Sequence, residues 1–117
     1  MFTQPRLAPK MVRTPSFRAA HVAFSLLVPV AASLPPEWRY LAAHLRRRGT
    51  LLLIGLTVSA GQAGKSKRRA LRLSRLLAFD LIGALHAATS APGINELQVE
   101  QAALAYLKVV RVLAPTQ

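Results

Sequence analysis

Apolar residues recur at helical spacing in four segments of this 117-residue chain. The first segment, from about Ser16 to Ser33, is predicted to be an amphipathic helix. Pro29 lies inside it and is expected to kink the helix or to end it early. The residues that define its apolar face are three or four positions apart: Phe17, Ala20, Phe24, Leu27 and Ala31.

A second and a third helix follow, separated by a glycine-containing turn. The run Ser33-Leu-Pro-Pro-Glu37 favours a helix start, since proline is tolerated in a first turn and an acid is favourable near the positive end of the helix dipole. The second helix is predicted to continue to about Ala60. After the turn at residues 61–64, Ser66 is a candidate cap for a third helix, which ends near Ala88 before the run 90–93.

The start of the fourth helix is the clearest of all. Asn95 is a good N-cap, and Gln98 occupies the position of a capping-box partner. This helix is predicted to end before Pro115. Since no segment alternates with the period of a strand, we predict an all-α, antiparallel four-helix bundle over residues 16–114, with a flexible basic arm at 1–15 and a short tail at 115–117.

The excess of positive charge indicates what kind of partner the protein binds. The chain has 16 Lys and Arg against 4 Asp and Glu, a formal net charge of +12. Like charges at this density destabilise a small fold, which favours a polyanionic partner, and nucleic acid fits best. Twelve of the basic residues lie in three clusters: Arg6, Lys10 and Arg13; Arg46, Arg47 and Arg48; and Lys65, Lys67, Arg68, Arg69, Arg72 and Arg75.

Folding the chain about its short turns predicts where these clusters meet. A turn at residue 63 places Arg48 near position 78, and the other turns place Lys108 level with Arg75 and Arg18 level with Leu51. All four helices then carry basic residues near one end, whereas Glu37, Glu96 and Glu100 fall toward the other. The predicted nucleic-acid-binding residues are Arg46, Arg47, Arg48, Lys65, Lys67, Arg68, Arg69, Arg72, Arg75, Lys108 and Arg111.

The second helix is apolar all round, and a lone four-helix bundle covers only about half of such a helix. Self-association would cover the rest, so the sequence predicts a homo-oligomer. The residues that point in nearly every direction are Leu51, Leu52, Leu53, Ile54, Leu56 and Val58.

No catalytic or metal site is predicted. The run Gly61-Gln-Ala-Gly-Lys-Ser66 resembles the end of a phosphate-binding Walker A loop, but Ser59 stands where the motif needs its first glycine. Asp80, the candidate Walker B acid, falls in the same helix. The chain has no cysteine, and its three histidines lack metal-ligand spacing. We therefore expect neither an enzyme nor a cofactor.

Membrane insertion is not predicted either. The uncharged run from Gly49 to Gly64 falls short of the roughly 20 residues that cross a bilayer. No exposed aromatic-rich apolar stripe accompanies the charges, as membrane-surface binding requires. The basic, acid-free N-terminus also suits an organellar transit peptide, although Pro5, Pro9 and Pro15 interrupt any continuous helix there.

The order of features resembles a known family. Leu27-Val-Pro-Val-Ala-Ala-Ser-Leu-Pro35 leads into a basic helix, and Ala63-Gly-Lys-Ser66 opens the next. Leu76-Leu-Ala-Phe-Asp-Leu-Ile82 follows, and Gln98-Val-Glu100 opens a helix that ends in Val110-Arg-Val-Leu113. Over residues 17–114 this resembles the accessory variability determinant of diversity-generating retroelements, within the four-helix-bundle family related to ribosomal-RNA intervening-sequence proteins.

The resemblance implies a homopentameric, barrel-like assembly in a bacterial, archaeal or phage-encoded system, acting in the cytoplasm. It also implies non-catalytic binding to the element's reverse transcriptase, its template-repeat RNA and the cDNA, in support of mutagenic retrohoming. The alternative from the residues alone is a structural subunit of a large ribonucleoprotein or organellar complex.

Overall fold

The computed structural model describes residues 14–114 and is all-helical in that range, with no strand. It contains four α-helices, which we number α1 to α4, and one short 3-10 helix. Their bounds are α1 Pro15–Ser33, the 3-10 helix Pro36–Trp38, α2 Arg39–Ala60, α3 Gly64–Ala88 and α4 Glu96–Val112. The predicted helical class is confirmed. The predicted arm, apart from its last two residues, and the predicted tail lie outside the described residues.

Each helix packs against two others. α1 contacts α2 and α4, and α3 also contacts α2 and α4, an arrangement compatible with the predicted four-helix bundle. The short connections make successive helices antiparallel, so α1 and α3 run opposite to α2 and α4. The largest side chains at the centre are Leu27, Leu45, Leu52, Leu56, Leu81, Leu85, Val109 and Tyr106.

Side-chain caps begin two of the helices. Thr14 Oγ1 accepts a hydrogen bond from the Phe17 amide at 3.3 Å, and Asn95 Oδ1 accepts one from the Gln98 amide at 3.2 Å. The predicted Asn95 cap is confirmed. The predicted Ser66 cap is wrong, because α3 already begins at Gly64 and the preceding Ala63 offers no side-chain acceptor.

The prolines act differently from one another. α1 continues past Pro29 to Ser33, the predicted end, so of the two effects expected of Pro29 the early end does not occur. Pro29 and Ser25 are both exposed, and water can therefore reach the Ser25 carbonyl, which loses its helical donor. By contrast, Pro36 opens a separate 3-10 turn, and α2 itself begins only at Arg39, later than predicted.

α1 is the one helix of the described range that is long and apolar enough to cross a membrane by length and composition, with a mean hydropathy of 1.3. About 33% of that 18-residue window is buried within the protein. Its buried residues belong to the common core, as in a core helix of a bundle: Ala20, Ala23, Leu27, Val30 and Ala31. α1 was not predicted as a candidate span, since the sequence-based prediction concerned only residues 49–64.

Tyr106 places a hydroxyl in the apolar core. The residue is fully buried, and its hydroxyl oxygen has no hydrogen-bond partner among residues 14–114. Burial disfavours the charged phenolate and raises the pKa of Tyr106 above its usual value of 10.0. A buried hydroxyl without a partner costs about 1–3 kcal/mol, so Tyr106 stabilises the fold less than phenylalanine would.

We therefore expect Tyr106→Phe to raise the free energy of unfolding by about 1 kcal/mol at neutral pH. The difference should grow above pH 10, because Tyr106 then ionises in the unfolded chain but stays neutral in the folded protein. At pH 11 this ionisation lowers the free energy of unfolding of the wild type by about 1.4 kcal/mol and does not affect that of Tyr106→Phe. Urea unfolding at pH 7 and pH 11 measures both effects. Tyr40, which is 76% exposed, provides the control: Tyr40→Phe should leave both values unchanged.

Candidate nucleic-acid interface

Contacts between α2 and α3 fix the relative height of their basic residues. His44 Nε2 lies 2.8 Å from Asp80 Oδ2, and a Cβ atom at Gly55 would lie 3.2 Å from Ser74 Oγ. A residue of α2 and a residue of α3 therefore lie at the same height along the bundle axis when the sum of their residue numbers is between 124 and 129. On this register Arg72 lies level with a point near Gly55.

The same reasoning extends to α1 and α4. A Cβ atom at Gly49 would approach both the Phe24 ring and the Tyr106 hydroxyl, so these three residues share one height. Because α1 runs opposite to α2, Arg18 lies level with Gly55, about one turn beyond the predicted height of Leu51.

One end of the molecule thus collects cations from α1, α3 and α4, whereas Arg46, Arg47 and Arg48 of α2 lie near the middle of the bundle. α4 runs parallel to α2, which places Arg111 level with residue 54, and Arg72 and Arg18 lie at the same height. We call the half of the bundle that contains the start of α1, the end of α2, the start of α3 and the end of α4 the basic end. The predicted residues span roughly 20–25 Å along the axis at 1.5 Å per residue: Arg46, Arg47, Arg48, Lys65, Lys67, Arg68, Arg69, Arg72, Arg75, Lys108 and Arg111.

These cations are distributed around the bundle rather than on one flat face. Arg18 and Lys108 line a surface groove between α1 and α4, whose apolar wall includes Val22 and Val112. Arg46 and Arg47 line a shallow depression on α2. Phosphate groups would have to approach from more than one side to meet every cation.

Very few of the cations are neutralised within the protein. Residues 14–114 contain thirteen Lys and Arg, and only Arg48 has a described carboxylate within 4.0 Å, with its Nε 3.8 Å from Asp80 Oδ2. The acids Glu37, Glu96 and Glu100 lie at the other end, which we call the acidic end. Charge is thus segregated along the bundle, and twelve of these thirteen cations have no ion-pair partner in the described range.

The partners of Asp80 were not predicted from the sequence. The structure pairs Asp80 with His44 of α2 and with Arg48 one turn later. Folding about residue 63 predicted Arg48 near position 78, and the structure places its Nε 3.8 Å from Asp80 Oδ2. All three side chains are partly exposed, so the pairs stabilise the fold by about 0–1 kcal/mol.

α3 carries the longest row of unpaired cations. Arg68, Arg72 and Arg75 recur every three or four residues, so they lie along one side of the helix. Arg75 is half-buried, its Nε has no hydrogen-bond partner among the described residues, and its guanidinium carbon lies 5.4 Å from the centroid of the Phe79 ring. The ring therefore holds the Arg75 side chain against the helix, which reduces the entropy lost when that guanidinium binds an anion.

The start of α3 does not have the geometry of a nucleotide-binding loop. Gly64 has a positive φ of 62° and begins the helix directly, and Gly61 to Arg69 are all exposed. Asp80 lies further along the same helix, as predicted. No group of three or more His, Asp or Glu side chains within residues 14–114 is placed to hold a metal ion.

No protein-family model matches this sequence, and no curated protein matches it significantly.

Proposed function

We propose that this protein is a non-catalytic, nucleic-acid-binding accessory subunit of a diversity-generating retroelement reverse transcriptase. The observation that carries the nucleic-acid part is the end of a small bundle where cations from α1, α3 and α4 meet, next to Arg46, Arg47 and Arg48 of α2, with almost no carboxylates to oppose them. Concentrating like charges in this way weakens the fold, and a polyanion that neutralises them offsets that cost.

The reverse transcriptase, the template-repeat RNA and the cDNA enter the proposal through the resemblance of residues 17–114 to the accessory variability determinant family. In this role the protein holds RNA and polymerase together and performs no chemistry itself. Its place of action is the cytoplasm of a bacterial or archaeal cell, whether the gene is cellular or phage-encoded.

Two measurements test this function. The purified protein should bind template-repeat RNA with an affinity that falls steeply with salt, because each phosphate that is neutralised releases counterions. Contact with about six phosphates of a single strand gives a slope of log K against log salt near −4. A flat salt dependence would exclude the basic end as an RNA site. Failure to co-purify with a reverse transcriptase encoded by a neighbouring gene would remove the retroelement role.

We also propose that the protein assembles into a homo-oligomer, a pentamer by the resemblance. The outer side of α2 supports this proposal, since Leu51, Ile54 and Val58 are 42%, 53% and 51% exposed and recur along one side of the helix. Leu73 of α3 lies at a similar height and is also exposed. Five chains at +12 each bring a formal charge of about +60, so assembly would multiply the electrostatic attraction for RNA.

Light scattering should therefore report a mass several times the 12.7 kDa of one chain. We expect Ile54→Glu to shift this mass toward that of a monomer, because it places a charge in the middle of the exposed apolar row. Leu97→Glu is the matched control: Leu97 is 63% exposed in the first turn of α4, at the acidic end. A wild-type monomer, or equal masses for both variants, would contradict assembly through α2.

A further inference from the structure

We infer that the outer side of α3 binds an unpaired, single-stranded polynucleotide, and that Phe79 stacks on one of its bases while Arg72 and Arg75 hold the adjoining phosphates. The inference rests on the proposed function and makes it more specific. It concerns which form of nucleic acid fits, and which side chain distinguishes that form from a duplex.

The first observation is the position of Phe79. It follows Arg72 by seven residues and Arg75 by four, so it continues the row of cations along the same side of α3. Phe79 is 47% exposed, and the Arg75 guanidinium lies over its ring, so an aromatic side chain and a cation are presented together on this side of the helix. Aromatic rings that alternate with cations are typical of surfaces that bind single strands.

The second observation is the contact between Phe79 and Arg75. The guanidinium carbon lies 5.4 Å from the ring centroid, which is within cation–π range. This contact fixes the ring and the charge relative to each other before any ligand arrives. A base that stacks on the ring would bring its own phosphate close to a guanidinium that is already in place, so little side-chain entropy is lost on binding.

The third observation is the charge around this pair. Asp80 is the nearest acid in sequence, but its carboxylate is bound to His44 at 2.8 Å and lies 3.8 Å from Arg48 Nε. The repulsion that a free carboxylate would exert on a phosphate is therefore reduced at this position. Arg68 and Arg72 have no described carboxylate within 4.0 Å, so the row towards the basic end stays positive.

A duplex fits these features poorly. Its bases are stacked on one another and do not offer their faces to a side chain, so an exposed ring gains nothing from a duplex backbone. An unpaired strand offers both a base face and a flexible phosphate chain. The arginines alone would accept either form, whereas the ring favours the single strand.

The test compares wild type with Phe79→Leu, which keeps an apolar side chain but removes the aromatic face, and with Phe79→Tyr, which keeps the face. The probes are single-stranded RNA, single-stranded DNA, a duplex of the same sequence, and an abasic DNA strand of equal length. We expect Phe79→Leu to weaken binding of strands with bases by about 5- to 150-fold. Phe79→Tyr should bind them like wild type. The abasic strand and the duplex should not distinguish the three proteins.

Each alternative outcome points to a different error. Equal binding of the base-carrying strands by wild type and Phe79→Leu overturns the stacking role but leaves the proposed function intact if the salt slope remains steep. Absence of binding to every probe overturns the proposed function itself. A smaller assembly for Phe79→Leu, with unchanged affinity for the strands, shows that another copy of the chain covers Phe79, which also overturns the inference. The RNA and DNA arms show which polynucleotide is preferred.

Discussion

Replacing Arg68, Arg72 and Arg75 together with Gln should lower the magnitude of the slope of log K against log salt by about two units for single-stranded RNA. Each arginine is free of ion pairs in the described range, so each can neutralise one phosphate without first breaking a bond to a carboxylate. At 0.1 M salt this change corresponds to roughly 100-fold weaker binding. Gln keeps good helix propensity, so the circular dichroism spectrum should not change.

A pair of single substitutions separates position from net charge. Arg72→Gln and Arg39→Gln each remove one positive charge from an exposed residue, but Arg72 lies at the basic end and Arg39 begins α2 at the acidic end. Only Arg72→Gln should lower the slope, by about 0.7 units. If both substitutions change the slope equally, binding depends on total charge, and the segregation along the bundle has no role in recognition.

The second large effect concerns two glycines on neighbouring helices, which should respond to alanine in opposite ways. A Cβ atom at the buried Gly49 would lie 2.6 Å from Cδ1 and 2.8 Å from Cε1 of Phe24, and 3.3 Å from the Tyr106 hydroxyl. The ring is half-buried between helices and must shift to make room. We expect Gly49→Ala to lower the free energy of unfolding by about 1–3 kcal/mol, although alanine favours the helix itself.

Gly83 is the matched control for that prediction. It is exposed within α3, and a Cβ atom there would meet nothing within 4 Å. Gly83→Ala should raise the free energy of unfolding by about 0.5–1 kcal/mol, since it only restricts the unfolded chain and improves helix propensity. Urea unfolding of both variants gives the comparison. A Gly49→Ala protein that gains stability as Gly83→Ala does would show that α1, α2 and α4 are not in close contact at this height.

The sequence predicted much of the fold because the relevant signals are local. Asn95 caps α4 through a bond to a residue only three positions away, and the helix ends near Ser33, Ala60 and Ala88 follow from short runs of turn residues. Errors arose where a local signal had competitors. Ser66 could cap a helix, but α3 already begins at Gly64. Pro29 removes one hydrogen bond of α1, and the loss destabilises the helix little because water can bond to the exposed Ser25 carbonyl.

The candidate interface was only partly predictable. The height of each basic residue follows from helix length and turn position, both of which the sequence contains, and the structure moved Arg18 by only about one turn. The direction in which each side chain points around the bundle is different, because it depends on how four helices pack. Sequence spacing alone could not predict that Arg18 and Lys108 line one groove. Nor could it predict that Arg46 and Arg47 line a different depression.

By itself, the sequence determined the helical class, the approximate ends of the four helices and the excess of positive charge, since each depends on residues close together along the chain. Only the tertiary structure decided three contacts. Asp80 binds His44, the Phe24 ring packs against Gly49 beside Tyr106, and Arg75 lies over an exposed Phe79. The first two contacts join different helices, and a difference of one turn in their register would abolish them. The third joins neighbours one turn apart on α3, but whether that ring is covered or open depends on where the other helices pack.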